Sequence, residues 1–277
     1  MLFIFVTTFF FSYLYVTPML PTDILYILIT EGGERMNFVF DIDGTLCFDG
    51  KTIDETIIEA LDELVEEGHE IIFASARPIR DLMPILPKQF KNKKLVGGNG
   101  CFISQNETIT ANFFTPTLFQ QLHTIIEQHQ LTYLADSEWD YAFTGNFEHP
   151  IYQNINHSSA KNIPLLELQK ICKVVLFKPT SPVIEALTQL PISITTYKHE
   201  DAIDISPLGI NKVYGLKKLQ ISEFIAFGND SNDQCLFENA QFSVCVGTND
   251  VHKYASLTIT KDEVAKTIIQ LKKQFSI

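Results

Sequence analysis

The chain has 277 residues, 45% of them hydrophobic and 19% charged, so it can bury a sizeable core and is neither a disordered polymer nor a charged tail. Its 21 Lys and Arg stand against 33 Asp and Glu, a net charge of −12, which excludes a basic nucleic-acid surface as its main purpose and leaves room for a local basic pocket. The five cysteines, Cys47, Cys101, Cys172, Cys235 and Cys245, are scattered and form no C-x-x-C pair, so neither a disulfide framework nor a zinc knuckle is expected and a reducing cytoplasm suits the chain.

Residues 1–22 carry no charge and many aromatics, which on length and apolarity alone would suit a membrane anchor or signal peptide. Against that, no Lys or Arg precedes the apolar run, Pro18 and Pro21 interrupt its end, and no small-residue cleavage site follows. The stretch Glu31-Gly32-Gly33-Glu34-Arg35 can be encoded by a purine-rich ribosome-binding sequence just ahead of Met36. Residues 1–35 are therefore expected to precede the true start, with an anchor as the alternative.

From Met36 strands and helices alternate. Asn37-Phe38-Val39-Phe40 is an apolar run entering the polar string Asp41-Ile42-Asp43-Gly44-Thr45, the pattern of a buried strand that ends in a loop. Asp54 is placed to cap a helix whose apolar positions are Ile57, Ile58, Leu61, Leu64 and Val65, and Gly68 stops it. Glu70 to Ala74 reads as a second buried strand, ending at Ser75-Ala76-Arg77-Pro78. Strand, helix and strand in so short a span imply a right-handed parallel crossover.

Residues 81–185 have a different texture, richer in Pro, Asn, Gln and aromatics, with strand-like Gly100 to Ile103 and Lys173 to Phe177 and a helical stretch from Leu118 to His129. This segment is expected to form an inserted α+β domain, with 36–80 and 186–277 as the core. The alternation then resumes. Lys212 precedes a helical stretch, Phe224 to Phe227 runs into Gly228-Asn229-Asp230-Ser231-Asn232-Asp233, and Thr260 with Glu263 forms a capping box for the last helix.

Three polar clusters thus lie at the carboxyl ends of predicted parallel strands, the edge where open α/β sheets bind ligands. Asp41 and Asp43 can divide nucleophilic attack and proton transfer between two carboxylates. Gly44 permits a tight turn and Thr45 adds a hydroxyl. Ser75 and the following amide of Ala76 can hold an anionic oxygen, and Lys212 can add positive charge there. The 228–233 cluster, with Asp41, offers hard oxygen donors suited to Mg²⁺. An EF-hand is the competing metal reading, but Gly44 comes too early in the loop and Thr52 stands where the closing Glu should be. Taken singly, Ser75 reads as a small turn residue, Lys212 as a surface charge, and 228–233 as a turn with a helix cap; their order after Asp41 and Asp43 makes them candidates.

In that order the residues resemble the haloacid dehalogenase superfamily of phosphotransferases. Asp41-Ile42-Asp43-Gly44-Thr45 resembles its first motif, Ser75 in Phe73 to Pro78 the second, Lys212 the third and Gly228 to Asp233 the fourth. The inserted segment resembles a C2-type cap, and Gly98-Asn99-Gly100 is similar to the Cof-type branch, subfamily IIB. The resemblance implies a doubly wound, Rossmann-like parallel sheet carrying an inserted cap. It implies that Asp41 is the nucleophile and Asp43 the acid/base, that Ser75, Ala76, Lys212 and Asn232 bind phosphate, and that Asp41, Asp43, Asn229 and Asp230 hold Mg²⁺, with Thr45 and Asp233 in support.

Two positions depart from the family pattern: Ala76 stands for the usual Gly, and Asn229 for the first Asp of the fourth motif. The second removes a charge from the metal site. The activity implied is cytoplasmic, Mg²⁺-dependent hydrolysis of a small phosphorylated metabolite, such as a sugar phosphate or phosphorylated cofactor. A sugar phosphomutase and a catalytically weak phospho-ligand sensor are the alternatives, and no nucleic-acid or membrane partner is implied.

Overall fold

The computed structural model describes residues 35–197 and 201–275, so residues 1–34, the stretch expected to precede the true start or to form an anchor, lie outside the described residues. Among the described residues no helix is long and apolar enough to cross a membrane.

The chain begins with β1 (Asn37–Phe40), α1 (Glu55–Glu66), β2 (Glu70–Ala74) and α2 (Ile79–Leu82), followed by β3 (Lys94–Gly97), β4 (Phe102–Gln105) and β5 (Thr108–Ala111). It then departs through α3 (Pro116–Gln128), β6 (Thr132–Asp136), β7 (Tyr141–Phe143), α4 (Pro150–Gln153), β8 (Lys173–Phe177), α5 (Ser181–Thr188), β9 (Ile192–Tyr197) and β10 (Ala202–Pro207). It returns with α6 (Lys212–Lys218), β11 (Ile225–Gly228), α7 (Gln234–Asn239), β12 (Phe242–Val246), β13 (Leu257–Ile259) and α8 (Val264–Phe275).

Eight strands form the core sheet in the order β13-β12-β11-β1-β2-β3-β4-β5. The first six of these run parallel, and β4 and β5 extend the edge antiparallel. Side chains alternate across the sheet and both faces are covered, which is why β1 reads as a continuous apolar run. Phe38, Phe40 and Phe73 pack with Leu61, Leu64, Ile268 and Leu271 of α1 and α8. Val39, Ile72 and Ala74 pack on the other side with Leu216, Leu236 and Phe237 of α6 and α7. The doubly wound core is therefore the architecture the alternating pattern implies.

The expected domain boundaries are corrected by the pairing of the strands. β3, β4 and β5, placed in the insertion by their sequence, continue the core sheet from β2, whereas β9 and β10, placed in the core, complete a second sheet of order β7-β6-β8-β10-β9. The insertion thus lies between β5 and α6. The reason is solvent exposure: Thr108, Ile109 and Thr110 sit on an exposed edge strand, so they lack the apolar signature of the strands they extend.

In the cap sheet the period-two rule separates two faces. Tyr133 and Ala135 of β6 and Val174 and Leu176 of β8 pack with Leu118, Leu122, Ile126, Val183 and Leu187 of α3 and α5. The intervening residues face the other way, toward the core. Both chain crossings meet at the turn Gly98 to Gly100. There Asn112 donates its backbone N–H to Cys101 O at 2.8 Å, and Gly100, at φ +100°, lies so near Asn211 that a Cβ would fall 2.2 Å from its carbonyl oxygen.

Candidate active site

Strand register brings the clusters together. Phe40 pairs with Phe73 on one side and Phe227 on the other, so Asp41, Ala74 and Gly228 are level and their successors leave the sheet at one edge. Asp41 continues the ladder by one bond, its N–H donating to Phe227 O at 2.9 Å. The chain then turns tightly, with the amides of Thr45, Leu46 and Cys47 all directed at Ile42 O. Gly44 permits this turn at φ +78°, and a Cβ there would come 2.1 Å from Asn229 Nδ2.

Asp41 is almost fully buried. The wholly buried Lys212 donates from Nζ to Asp41 Oδ1 at 2.6 Å and to Asp233 Oδ1 at 2.7 Å. Burial, then the Asp233 charge, pushes the Asp41 carboxyl up to about 7 against the pull of Lys212. The two carboxylates in turn push Lys212 upward despite its burial, which keeps it an ammonium. Lys212 owes its place to the start of α6, where the Asn211 side chain accepts from the Tyr214 amide and caps the helix.

Asp233 is a positioning group. Its Oδ2 accepts the amides of Asn229 at 2.8 Å and Asp230 at 3.1 Å, while Oδ1 holds Lys212. Asp230 closes a capping box with Asp233, and its Oδ1 accepts the Ser231 amide at 2.6 Å. Thr45 Oγ1 lies 3.1 Å from Asp41 Oδ2 and 3.3 Å from Asn229 Oδ1. One hydroxyl thus stands within hydrogen-bond reach of two acceptor oxygens.

Asp43 points into the cavity with both carboxylate oxygens held by Arg77: Nε donates to Oδ2 at 2.7 Å and Nη2 to Oδ1 at 2.5 Å. Ser75 is buried, and its Oγ accepts the Arg77 amide at 3.1 Å, while Ala76 faces the cavity beside Arg77. Asn232 donates from Nδ2 to Asn99 Oδ1 at 3.1 Å, and its own Oδ1 is buried without a partner.

A cavity of about 370 Å³ joins these groups to the cap. Asp41, Asp43, Gly44, Ala76, Asn229, Asp230 and Asn232 line its floor. Asp41, Lys212, Asp233, Thr45 and Asn229 form one hydrogen-bonded network behind it, whereas the Ser75 hydroxyl is turned to its own loop.

Several residues of the site escape a reading of the sequence. Arg77 had a signal in its place two residues after Ser75. Asn99, left-handed at φ 54°, donates from Nδ2 to Tyr197 Oη at 2.7 Å and to Asp204 Oδ2 at 2.8 Å; its signal was the pair of flanking glycines. Lys173, Asp204, Tyr197, Arg80 and Asp136 had none, since each joins the site only through the packing of cap on core.

Residues 38–269 match the haloacid dehalogenase-like hydrolase family. A 5-amino-6-(5-phospho-D-ribitylamino)uracil phosphatase of Bacillus subtilis is 26% identical over 86% of this chain and 96% of its own length. An HMP-PP phosphatase of Serratia proteamaculans is 24% identical over 75% of this chain and 82% of its own. Among solved structures, a haloalkanoate-superfamily phosphatase of Bacteroides thetaiotaomicron superposes with a TM-score of 0.73 at 17% identity, covering 91% of this chain and all of that one. A subclass IIB sugar phosphatase reaches 0.71 at 19% identity, over 85% of this chain and 96% of that one. With the match spanning both the core and the cap, the chain belongs to the haloacid dehalogenase-like hydrolases, in their Cof-type branch.

Proposed function

We propose that this phosphatase splits small phosphomonoesters through a phosphoryl group carried on Asp41. The observation that supports the reading is the buried Asp41–Lys212–Asp233 chain, which directs an ammonium at one oxygen of a cavity-lining carboxylate. Attack by Asp41 on phosphorus forms a carboxyl–phosphorus anhydride and breaks the ester P–O bond. Asp43 gives its proton to the departing alkoxide, later takes one from water, and that water displaces the phosphoryl group to free Asp41. To carry a proton, Asp43 has to release one of its two bonds to Arg77. Lys212 offsets negative charge beside the reacting oxygens throughout.

The donor set suits Mg²⁺. Asp41 Oδ2 and Asn229 Oδ1 converge on the Thr45 hydroxyl, and the Asp43 main-chain carbonyl would supply a third hard oxygen. Among the described residues no three His, Cys, Asp or Glu side chains gather as a metal site. Asp230 would be the lesser ligand, since its Oδ1 already caps its own turn. When bound, the dication neutralises charge on the transferring phosphoryl oxygens. The substrate would be a small phosphorylated metabolite such as a phosphorylated sugar or cofactor, a reading supported by the phosphatase names of the relatives and by the sugar phosphatase of like fold.

Two variants test the division of roles. Asp41→Asn should reduce hydrolysis to background, with no added phosphoryl mass after a rapid quench, because an amide is a poor nucleophile. Asp43→Asn should nearly abolish turnover of alkyl phosphates while still being phosphorylated by an aryl phosphate, whose leaving group needs no proton. A phosphorylated Asp41→Asn protein, or parental rates for Asp43→Asn on both esters, would overturn the assignment.

A further inference from the structure

The turn Gly98 to Gly100 joins parts of the site that are far apart in the chain. Its backbone is pinned to the loop after β2, with the Asn99 N–H donating to Ser75 O at 2.9 Å and the Gly98 N–H to Arg77 O at 2.7 Å. Asn99 itself is buried and left-handed at φ 54°, a conformation that Gly and Asn reach with little strain. Glycine would serve the backbone as well, so what this position adds is the side chain.

That side chain is committed in one sense only. Its Nδ2 carries two hydrogens, and Nδ2 lies 2.8 Å from Asp204 Oδ2 and 2.7 Å from Tyr197 Oη, both of the cap. Asp204 also pairs with the Lys173 ammonium at 2.9 Å, and a carboxylate accepts but cannot donate. The Asn99 amide is thereby kept from turning over, and its Oδ1 faces the loop after β11, where it accepts Asn232 Nδ2 at 3.1 Å. Asn232 is fixed in its turn. It lines the cavity and is partly exposed, while its Oδ1 is buried, so the part of its amide left to meet a ligand is the second hydrogen of Nδ2. The opposite sense would set a carbonyl oxygen against an anion.

We propose that Asn99 is a positioning residue for phosphoryl binding: Asp204 and Tyr197 set the sense of its amide, and it sets that of Asn232, so that the floor presents an N–H to the phosphoryl group. This rests on the phosphomonoester reading and adds to it a part for the cap in the core site. If Asn99 served only to dock the cap, its loss would act independently of Asn232.

The test uses the full chain with Mg²⁺, 4-nitrophenyl phosphate as the ester and inorganic phosphate as competitive inhibitor. Asn99→Gly keeps the left-handed turn and leaves Asp204 its Lys173 partner. Its inhibition constant for phosphate should rise about three- to tenfold, because a hydrogen bond to a charged group is misaligned. Asn232→Ala should raise the constant at least as far, and adding Asn99→Gly to Asn232→Ala should raise it no further, since the amide through which Asn99 acts is gone. A constant within twofold of native in Asn99→Gly, or single effects that multiply in the double variant, would overturn the proposal and leave Asn99 as a contact between cap and core. In ¹⁵N-labelled native protein, phosphate should shift the side-chain amide resonances of Asn99 and Asn232 together; an unmoved Asn99 resonance would overturn the proposal even if the variants do not fold. Native protein that fails to hydrolyse the ester would overturn the phosphomonoester reading, and the proposal with it.

Discussion

In the proposed metal site, the contribution of Asn229 comes down to one atom. Its Oδ1 shares the Thr45 hydroxyl with Asp41, so it stands where a donor to a hard cation is wanted, but it brings a dipole instead of a charge. Asn229→Asp should therefore lower the Mg²⁺ concentration for half-maximal activity by roughly three- to tenfold, since a carboxylate attracts the dication across a partly screened site. Titration of activity with Mg²⁺ measures this directly. No change would remove Asn229 from the ligand set. The candidate residues nearest the strand ends were legible because the D-x-D-G-T string and the later Asn/Asp cluster each follow an apolar run. The inward-turned Ser75 hydroxyl was not, since only the loop geometry gives it the Arg77 amide as a partner.

At the scale of elements, the start of β1 is held by His69, whose Nδ1 accepts the Met36 amide at 3.2 Å while Nε2 is buried without a partner. Protonation at Nδ1 would remove the acceptor, and burial holds this imidazole below its ordinary 6.5. On acidification the unfolded chain takes up the proton first, so stability present at neutral pH falls as pH drops through about 6.5 and below. Thermal melts at pH 7.5 and pH 5 should show a smaller difference for His69→Gln than for the parent. The turn at Gly100 gives a second case. Gly100→Ala meets both a positive φ and the Asn211 carbonyl, and should cost about 2 kcal/mol or more, read as a lower urea midpoint at unchanged slope. The buried parallel strands and amphipathic helices could be read from periodicity alone. The β4–β5 hairpin could not, because an edge strand facing water loses the pattern by which its sheet was recognised.

At the scale of the whole molecule, cap and core meet through buried polar groups that belong to neither alone. Lys173 of the cap reaches the Ala76 carbonyl, and Asn99 of the core reaches Asp204 and Tyr197. Lys173→Met would leave Asp204 buried without its cation, a change that costs about 3–5 kcal/mol when a buried pair is broken. The melting temperature should fall by several degrees, and limited proteolysis should cut first at the crossings near Asn112 and Asn211. This union of the two sheets was hidden in the sequence, since partners such as Asn99 and Asp204 stand 105 residues apart. Arg77 lies just ahead of α2 and Arg80 in its first turn, the first clasping Asp43 and the second holding Asp136 on the roof. Two residues of one chain segment therefore tie the roof to the floor, and a substitution at Asp136 would disturb the arginine pair that also holds Asp43.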